Sequence, residues 1–216
     1  MLHYIGRSAA ILTLLLLASP ARADLIGGVE FPGGLASFAD AVGSCTPNIS
    51  ASGQPTAPYR DCAKALGAPD VSAPGINYVS LGDGGSLVLR FTDNSLTGSD
   101  STAFDLWIFE IGPDVEDTFV WISPNGTDWS AVGKVTGGTR GIDIDAYGFG
   151  LGEFFSYVRL LDDTNEGDQS GSTVGADIDA VGAISSAPPV PDPVPEPATL
   201  LLLATGLLAA GRRCRQ

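Results

Sequence analysis

Between residues 77 and 184 the apolar positions recur every second residue in short runs, and turn residues separate the runs. The clearest run is Ser86 to Phe91. It follows Gly82-Asp83-Gly84-Gly85, and its Leu87, Leu89 and Phe91 fall on one side of an extended chain. Residues 77–81, 104–111, 118–122, 128–132, 142–147, 154–161 and 176–184 read as strands by the same criteria. Pro124-Asn125-Gly126 stands between two of them as a hairpin signal. About eight strands and no convincing amphipathic helix predict an all-β domain, a β-sandwich of jelly-roll type over residues 77–184. Residues 24–76 are rich in Gly, Ala, Pro and Ser with little periodicity. They read as an irregular N-terminal lead, with room to pack on the sandwich and a short helix near Asp61 to Leu66.

The two chain ends carry a different pattern, continuous apolar runs with basic flanks. Ala9 to Ala18 is apolar apart from Thr13, with Arg7 before it and Ala21-Arg22-Ala23 after it. This predicts a signal peptide over residues 1–23, removed by signal peptidase so that the mature chain begins at Asp24. The alternative is an uncleaved N-terminal anchor. At the other end the apolar run covers residues 198–211. As a helix it would measure about 21 Å against about 30 Å of hydrocarbon, a marginal transmembrane helix suited to transient anchoring. Arg212, Arg213 and Arg215 should stay on the cytoplasmic side. Pro195 and Pro197 keep the chain ahead of the run extended and open to a protease. The alternative is a plain C-terminal anchor that is never cut. Residues 185–197, with proline at six of the last ten positions, read as an extended linker of roughly 40 Å.

Composition narrows the chemistry. All 25 acidic residues but only six basic ones lie in residues 24–197, a formal charge of −19. Such a surface repels nucleic acid and attracts cations. The single histidine, His3, lies in the signal peptide. A mature chain without histidine builds no Ser-His-Asp or Cys-His centre and no histidine-ligated zinc site. The expectation is therefore a protein that is not an enzyme. Carboxylate-only catalysis, as in glycoside hydrolysis, stays open as the alternative. Cys45 and Cys62 are the only cysteines outside the tail. In an oxidising compartment a disulfide between them would be worth roughly 3 kcal/mol. The other possibility is a pair of free thiols.

One internal echo carries candidate metal chemistry. Gly141-Ile142-Asp143-Ile144-Asp145-Ala146 recurs as Gly175-Ala176-Asp177-Ile178-Asp179-Ala180. On a strand, Asp143 with Asp145 and Asp177 with Asp179 would each share a face. Paired carboxylates repel unless a cation or hydrogen-bond donors neutralise them, and Ca2+ suits an all-oxygen set. Without a cation these acids would cap loops or face water. Asp105 and Glu110 are further candidates but face opposite sides of a regular strand. Asp162-Asp163, Glu166 and Asp168 read as a solvated acidic loop. Among Trp107, Trp121, Trp129, Tyr147, Phe149 and Tyr157, most should be core, and Trp129 after the hairpin is the candidate ligand-binding ring.

The tail also resembles a known signal. Pro195-Glu196-Pro197, the apolar run and Arg212, Arg213 and Arg215 follow the order of the PEP-CTERM sorting signal of exported bacterial proteins, which an exosortase recognises. The resemblance implies an exosortase substrate cut near Glu196. It also implies a place at the cell surface, outer envelope or extracellular matrix of a Gram-negative bacterium. Within the strand region, Ala65-Leu66-Gly67-Ala68-Pro69-Asp70, Val79 to Leu87, Asp105 to Glu110 and Gly175 to Val181 resemble a domain common in such surface proteins. That domain is similar to galactose-binding, discoidin-like jelly rolls, which implies carbohydrate binding or adhesion. The expected function is a secreted, non-enzymatic binding or structural module that takes extracellular polysaccharide. The alternative is an extracellular carboxylate-dependent polysaccharide hydrolase.

Overall fold

A computed structural model gives the fold and describes residues 23–73, 75–111, 116–138, 140–165 and 170–191. The signal peptide expected over residues 1–23, all but its last residue, and the apolar run at 198–211 lie outside the described residues. The strands are β1 (Asp24–Ile26), β2 (Val29–Phe31), β3 (Ala41–Thr46), β4 (Val79–Ser80), β5 (Ser86–Arg90), β6 (Ser95–Leu96), β7 (Leu106–Glu110), β8 (Thr118–Ser123), β9 (Ser130–Val135), β10 (Arg140–Ile142), β11 (Tyr157–Asp162), β12 (Asp177–Ala183) and β13 (Ser186–Ala187).

Nine of these strands form two antiparallel sheets, in the orders β10-β7-β12-β4 and β3-β5-β11-β8-β9. Alternation drives their packing. Leu87 and Leu89, Leu106 and Ile108, Val120 and Ile122, and Val158 and Leu160 sit at every second position and join one buried core. The all-β sandwich expected from the alternation is therefore the fold observed.

The N-terminal lead is more ordered than its composition suggested. Gly27 and Gly28, both at positive φ, make the two-residue turn that joins β1 to β2. Phe31 and Phe38 then lie against Phe109 on the outer side of the four-stranded sheet, with ring centroids 4.6–6.2 Å apart. Gly182 makes this possible, because a Cβ there would come within 2.7 Å of the Phe31 ring. Beyond Phe38, Ala39 N donates to Val181 O and Asp40 N to Arg90 O, so these residues step from one sheet to the other. The chain continues into β3, an edge strand of the five-stranded sheet. Cys45 on β3 is bonded to Cys62. The short helix near residue 61 is a 3-10 turn, Cys62–Ala65, with the Asp61 carboxylate accepting from Ala63 N.

Two further expectations need correction, and one is refined. The strand read over 142–147 stops at Ile142, and Asp145–Tyr147 form a 3-10 turn. There, carboxylates take amide protons that a ladder would have used. The hairpin signalled by Pro124-Asn125-Gly126 is the antiparallel β8–β9 pair, and Asn125 organises its turn. Its Oδ1 accepts from Thr127 N and Asp128 N, both at 2.9 Å, inside a longer loop. The linker read from residue 185 starts docked, because β13 pairs with β6 and Ser95 Oγ donates to Pro188 O.

If the lead is part of the fold, Phe31→Ala should cost about 3–5 kcal/mol of stability in denaturant unfolding. Leu25→Ala, at a side chain 72% exposed, should stay within about 0.5 kcal/mol. Equal, small effects would mean that the lead does not pack.

Candidate functional site

The two outer sheet faces differ. Phe109 on the four-stranded sheet is buried beneath the lead. On the five-stranded sheet the outward residues Phe119, Trp121, Tyr157, Arg159 and Lys134 remain half-buried. Strand register sets them side by side, with Arg159 opposite Trp121 and Lys134 opposite Phe119. The Arg159 guanidinium lies 4.2 Å from the Trp121 ring centre and 5.2 Å from that of Trp129. Arg90 stands over Tyr157 at 5.4 Å and Lys134 over Phe119 at 5.3 Å. Three of the six basic residues in 24–197 thus gather on one aromatic face. Trp129 is half-buried beneath Arg159 rather than open, and it shares that guanidinium with Trp121. Of the other rings, Trp107 packs on the lead side, Phe149 on the main core, and Tyr147 is exposed.

The four aspartates of the echo do not form one ligand set. Strands β10 and β12 flank β7, and the two copies fall at opposite ends of it, about 17 Å apart along the strand. The first copy sits beyond β10, where Asp143 and Asp145 join Asp105, with oxygens within 4.8 Å of one another. Backbone amides and hydroxyls already serve these oxygens. Asp105 accepts from Ile144 N at 3.0 Å and Ser185 Oγ at 2.6 Å. Asp145 accepts from Ser99 N at 2.8 Å and Asp100 N at 3.2 Å, which holds its carboxyl below the usual range. Asp143 accepts from Ala146 N. The trio braces three loops. In the second copy a bulge between Ile178 and Ala180 breaks the alternation. Asp179 turns to Asp70 N and Val71 N, away from Asp177.

Asp177 belongs to a buried acidic end that sequence reading missed. Ile111 N donates to Asp177 O, which sets the end of β7 beside the start of β12. Asp162, expected in a solvated loop, is buried and accepts from Ala176 N at 2.7 Å and Gly84 N at 2.9 Å. Asp163 is buried too, paired with Lys134, which also holds Asp117. Glu166 and Asp168 lie outside the described residues. Glu110 and Glu116 are buried here as well. The missed signal was Glu110 and Asp162 occupying inward positions of otherwise apolar strands. Burial, then the Glu116 charge, pushes Glu110 up to about 9. Burial also raises Asp177 to about 7, opposed by the Ser80 hydroxyl and reinforced by Glu116 and Asp162.

A separate shallow polar cavity of about 190 Å³ is lined by Asn48, Ser50, Gln54, Asp83 and Val174. It holds one carboxylate.

The raised carboxyls give a pH dependence. Unfolded, both would titrate near pH 4, so between about pH 4 and 9 the folded chain holds more protons. Stability must then fall as pH rises through that window. Asp163, held near 2 by Lys134 and Asn165, adds nothing to the slope there. In chelator, Tm should drop steadily from pH 5 to pH 9. A flat or rising profile would contradict the burial of ionisable Glu110 and Asp177.

Among the described residues no helix is long and apolar enough to cross a membrane. No curated protein matches the chain in a sequence search. Residues 193–216 match the PEP-CTERM protein-sorting motif, so the chain carries the signal of an exported, cell-surface-associated protein processed by exosortase.

Proposed function

We propose that this exported chain is a non-enzymatic surface or matrix module that binds extracellular polysaccharide through the outer face of its five-stranded sheet. The observation that carries the reading is Arg159 set over both Trp121 and Trp129 on a face left half-exposed. Flat rings offer apolar surface to the C–H side of a sugar, and guanidinium groups donate to its oxygens. Arg159 also fixes the indoles before a ligand arrives, which lowers the ordering cost of binding. In a chain this acidic, basic residues gathered on one face favour a polysaccharide that carries anionic groups.

Strand order supports the accompanying jelly-roll reading. Each sheet interleaves early and late strands, β4, β12, β7 and β10 in one, β5, β11, β8 and β9 in the other, with β3 added at an edge. That interleaving is the order a double Greek key would give, which favours the jelly-roll reading. It fits the likeness to galactose-binding, discoidin-like domains. Signal peptidase and exosortase are the partners during export.

A polysaccharide pull-down or glycan array with the purified chain tests the proposal. Trp121→Ala and Trp129→Ala should each weaken binding by about tenfold or more while the circular dichroism spectrum is retained. No binding by the unaltered chain would remove the lectin role. Release of reducing ends from a bound polysaccharide would favour a carboxylate-dependent hydrolase instead.

A further inference from the structure

The loop closed by the Cys45–Cys62 bond supplies Asn48, Ser50 and Gln54 to the cavity of about 190 Å³, whose other walls are Asp83 and Val174. Its shape is fixed from several sides. Asn48 N donates to Leu81 O at 2.8 Å and Asn48 Nδ2 donates to Asp83 O, which seats the loop on the β4–β5 turn. Gly85 permits that seat, since a Cβ there would come within 2.7 Å of Asn48 N. Arg60 grips the other arm of the loop, donating from Nε to Pro55 O at 2.6 Å and from Nη2 to Gly53 O at 2.7 Å. Thr56 N donates to Ser172 O at 2.9 Å and so ties the loop to the segment before β12. A cavity braced in this way needs little ordering when a ligand enters.

The lining groups are unevenly satisfied. Asp83 is half-buried, and neither oxygen of its carboxylate accepts a hydrogen bond among the described residues. Oδ1 is shut off from water, so hydrogen bonding to this charge falls on the other oxygen. Asn48 spends its amide nitrogen on Asp83 O, and Gln54 Oε1 takes Ser52 Oγ at 3.3 Å. Asn48 Oδ1 and Gln54 Nε2 therefore have no partner among the described residues. Two acceptors and a donor around one apolar side chain match adjacent hydroxyls, each of which both donates and accepts. Asp83 would strengthen such a contact as a charged acceptor, and it repels anions. A bare divalent ion wants about six to eight oxygens, against a single carboxylate here. The volume falls below the roughly 300–1,000 Å³ of drug-sized pockets, which limits the occupant to about one ring.

We propose that this cavity is a subsite for one neutral hexose ring, held through adjacent hydroxyls by Asp83, Asn48 and Gln54. It is separate from the aromatic and basic sheet face, whose reading concerns anionic chains, and it stands if that reading fails.

The test uses the purified chain with glucose, galactose and mannose, each free and as the end of a disaccharide, followed by saturation-transfer NMR and titration. At least one hexose should bind. The free ring and the disaccharide tell a free sugar from a glycan end, and binding of either supports the site. Asp83→Ala and Gln54→Ala should each weaken binding about tenfold or more, while Glu30→Gln, at an exposed acid of the lead, should not. Circular dichroism checks folding, which Asp83→Ala should keep because it removes no side-chain hydrogen bond made among the described residues. Where a variant does not fold, sugar-induced amide shifts of the unaltered chain decide. Shifts at residues 48–54 and 83 support the proposal, and shifts confined to β8 and β11 overturn it. It is also overturned if no hexose binds, if Asp83→Ala binds as well as the unaltered chain, or if Trp121→Ala loses the sugar and Asp83→Ala does not. Binding of glucosamine without any neutral hexose would mean that the cavity reads positive charge, and would overturn it too.

Discussion

Every residue of β12 is buried, and the rest of the molecule is arranged around that constraint. One side of the strand faces the five-stranded sheet through Ile178, Val181 and Ala183, all members of the inter-sheet core. The other side lies under Phe31 and Phe38 of the lead, with Ala180 and Gly182 small enough to admit the rings. A strand covered on both faces cannot alternate polar and apolar residues, and its text, Asp177-Ile178-Asp179-Ala180-Val181-Gly182-Ala183, places two acids where water does not reach. Asp179 is neutralised by two amides of the lead. At Asp177 burial outweighs the Ser80 hydroxyl and pushes the carboxyl up to about 7.

The same logic distinguishes the outer faces of the two sheets. Because the lead covers one outer face, the remaining large face is that of β5, β11, β8 and β9, where aromatic and basic side chains alternate across neighbouring strands. Cation–π packing of this kind holds bulky rings at a half-wet surface without burying them, at roughly 0.5–1 kcal/mol per contact where exposed. A patterned aromatic and basic face outside and a layer of buried acids at one end are the two polar features of the sandwich.

The sandwich core was legible because Leu87, Leu89 and Phe91, or Val120 and Ile122, repeat at the spacing that only a half-buried strand needs. The lead was not, since its hydrophobic content is concentrated in Phe31 and Phe38 rather than in a periodic run. Gly27-Gly28 between two short apolar pairs was the one readable signal, a two-residue hairpin turn. The aspartate echo was visible as text, and its first copy does bring Asp143 and Asp145 together with Asp105, though not by strand alternation. Asp143 and Asp145 lie past the end of a strand, and a bulge separates Asp177 from Asp179, so period-two reasoning failed at both copies. Glu110 and Asp162 carried the better signal, single acids at inward positions of apolar strands. Which cations meet which rings on the sheet face depended on register between β8, β9 and β11, and a single chain's text does not contain that pairing.

Export gives these features their setting. The PEP-CTERM motif at residues 193–216 indicates an exported chain sorted through exosortase, and an oxidising compartment is where the bond between Cys45 and Cys62 persists. The most direct measurement is the intact mass, under non-reducing conditions, of the protein recovered from the surface of its native host. The account predicts a chain that begins at Asp24, ends near Glu196 and carries the Cys45–Cys62 bond. A full-length chain of 216 residues with free thiols, found in the cytosol and absent from the surface, would contradict it.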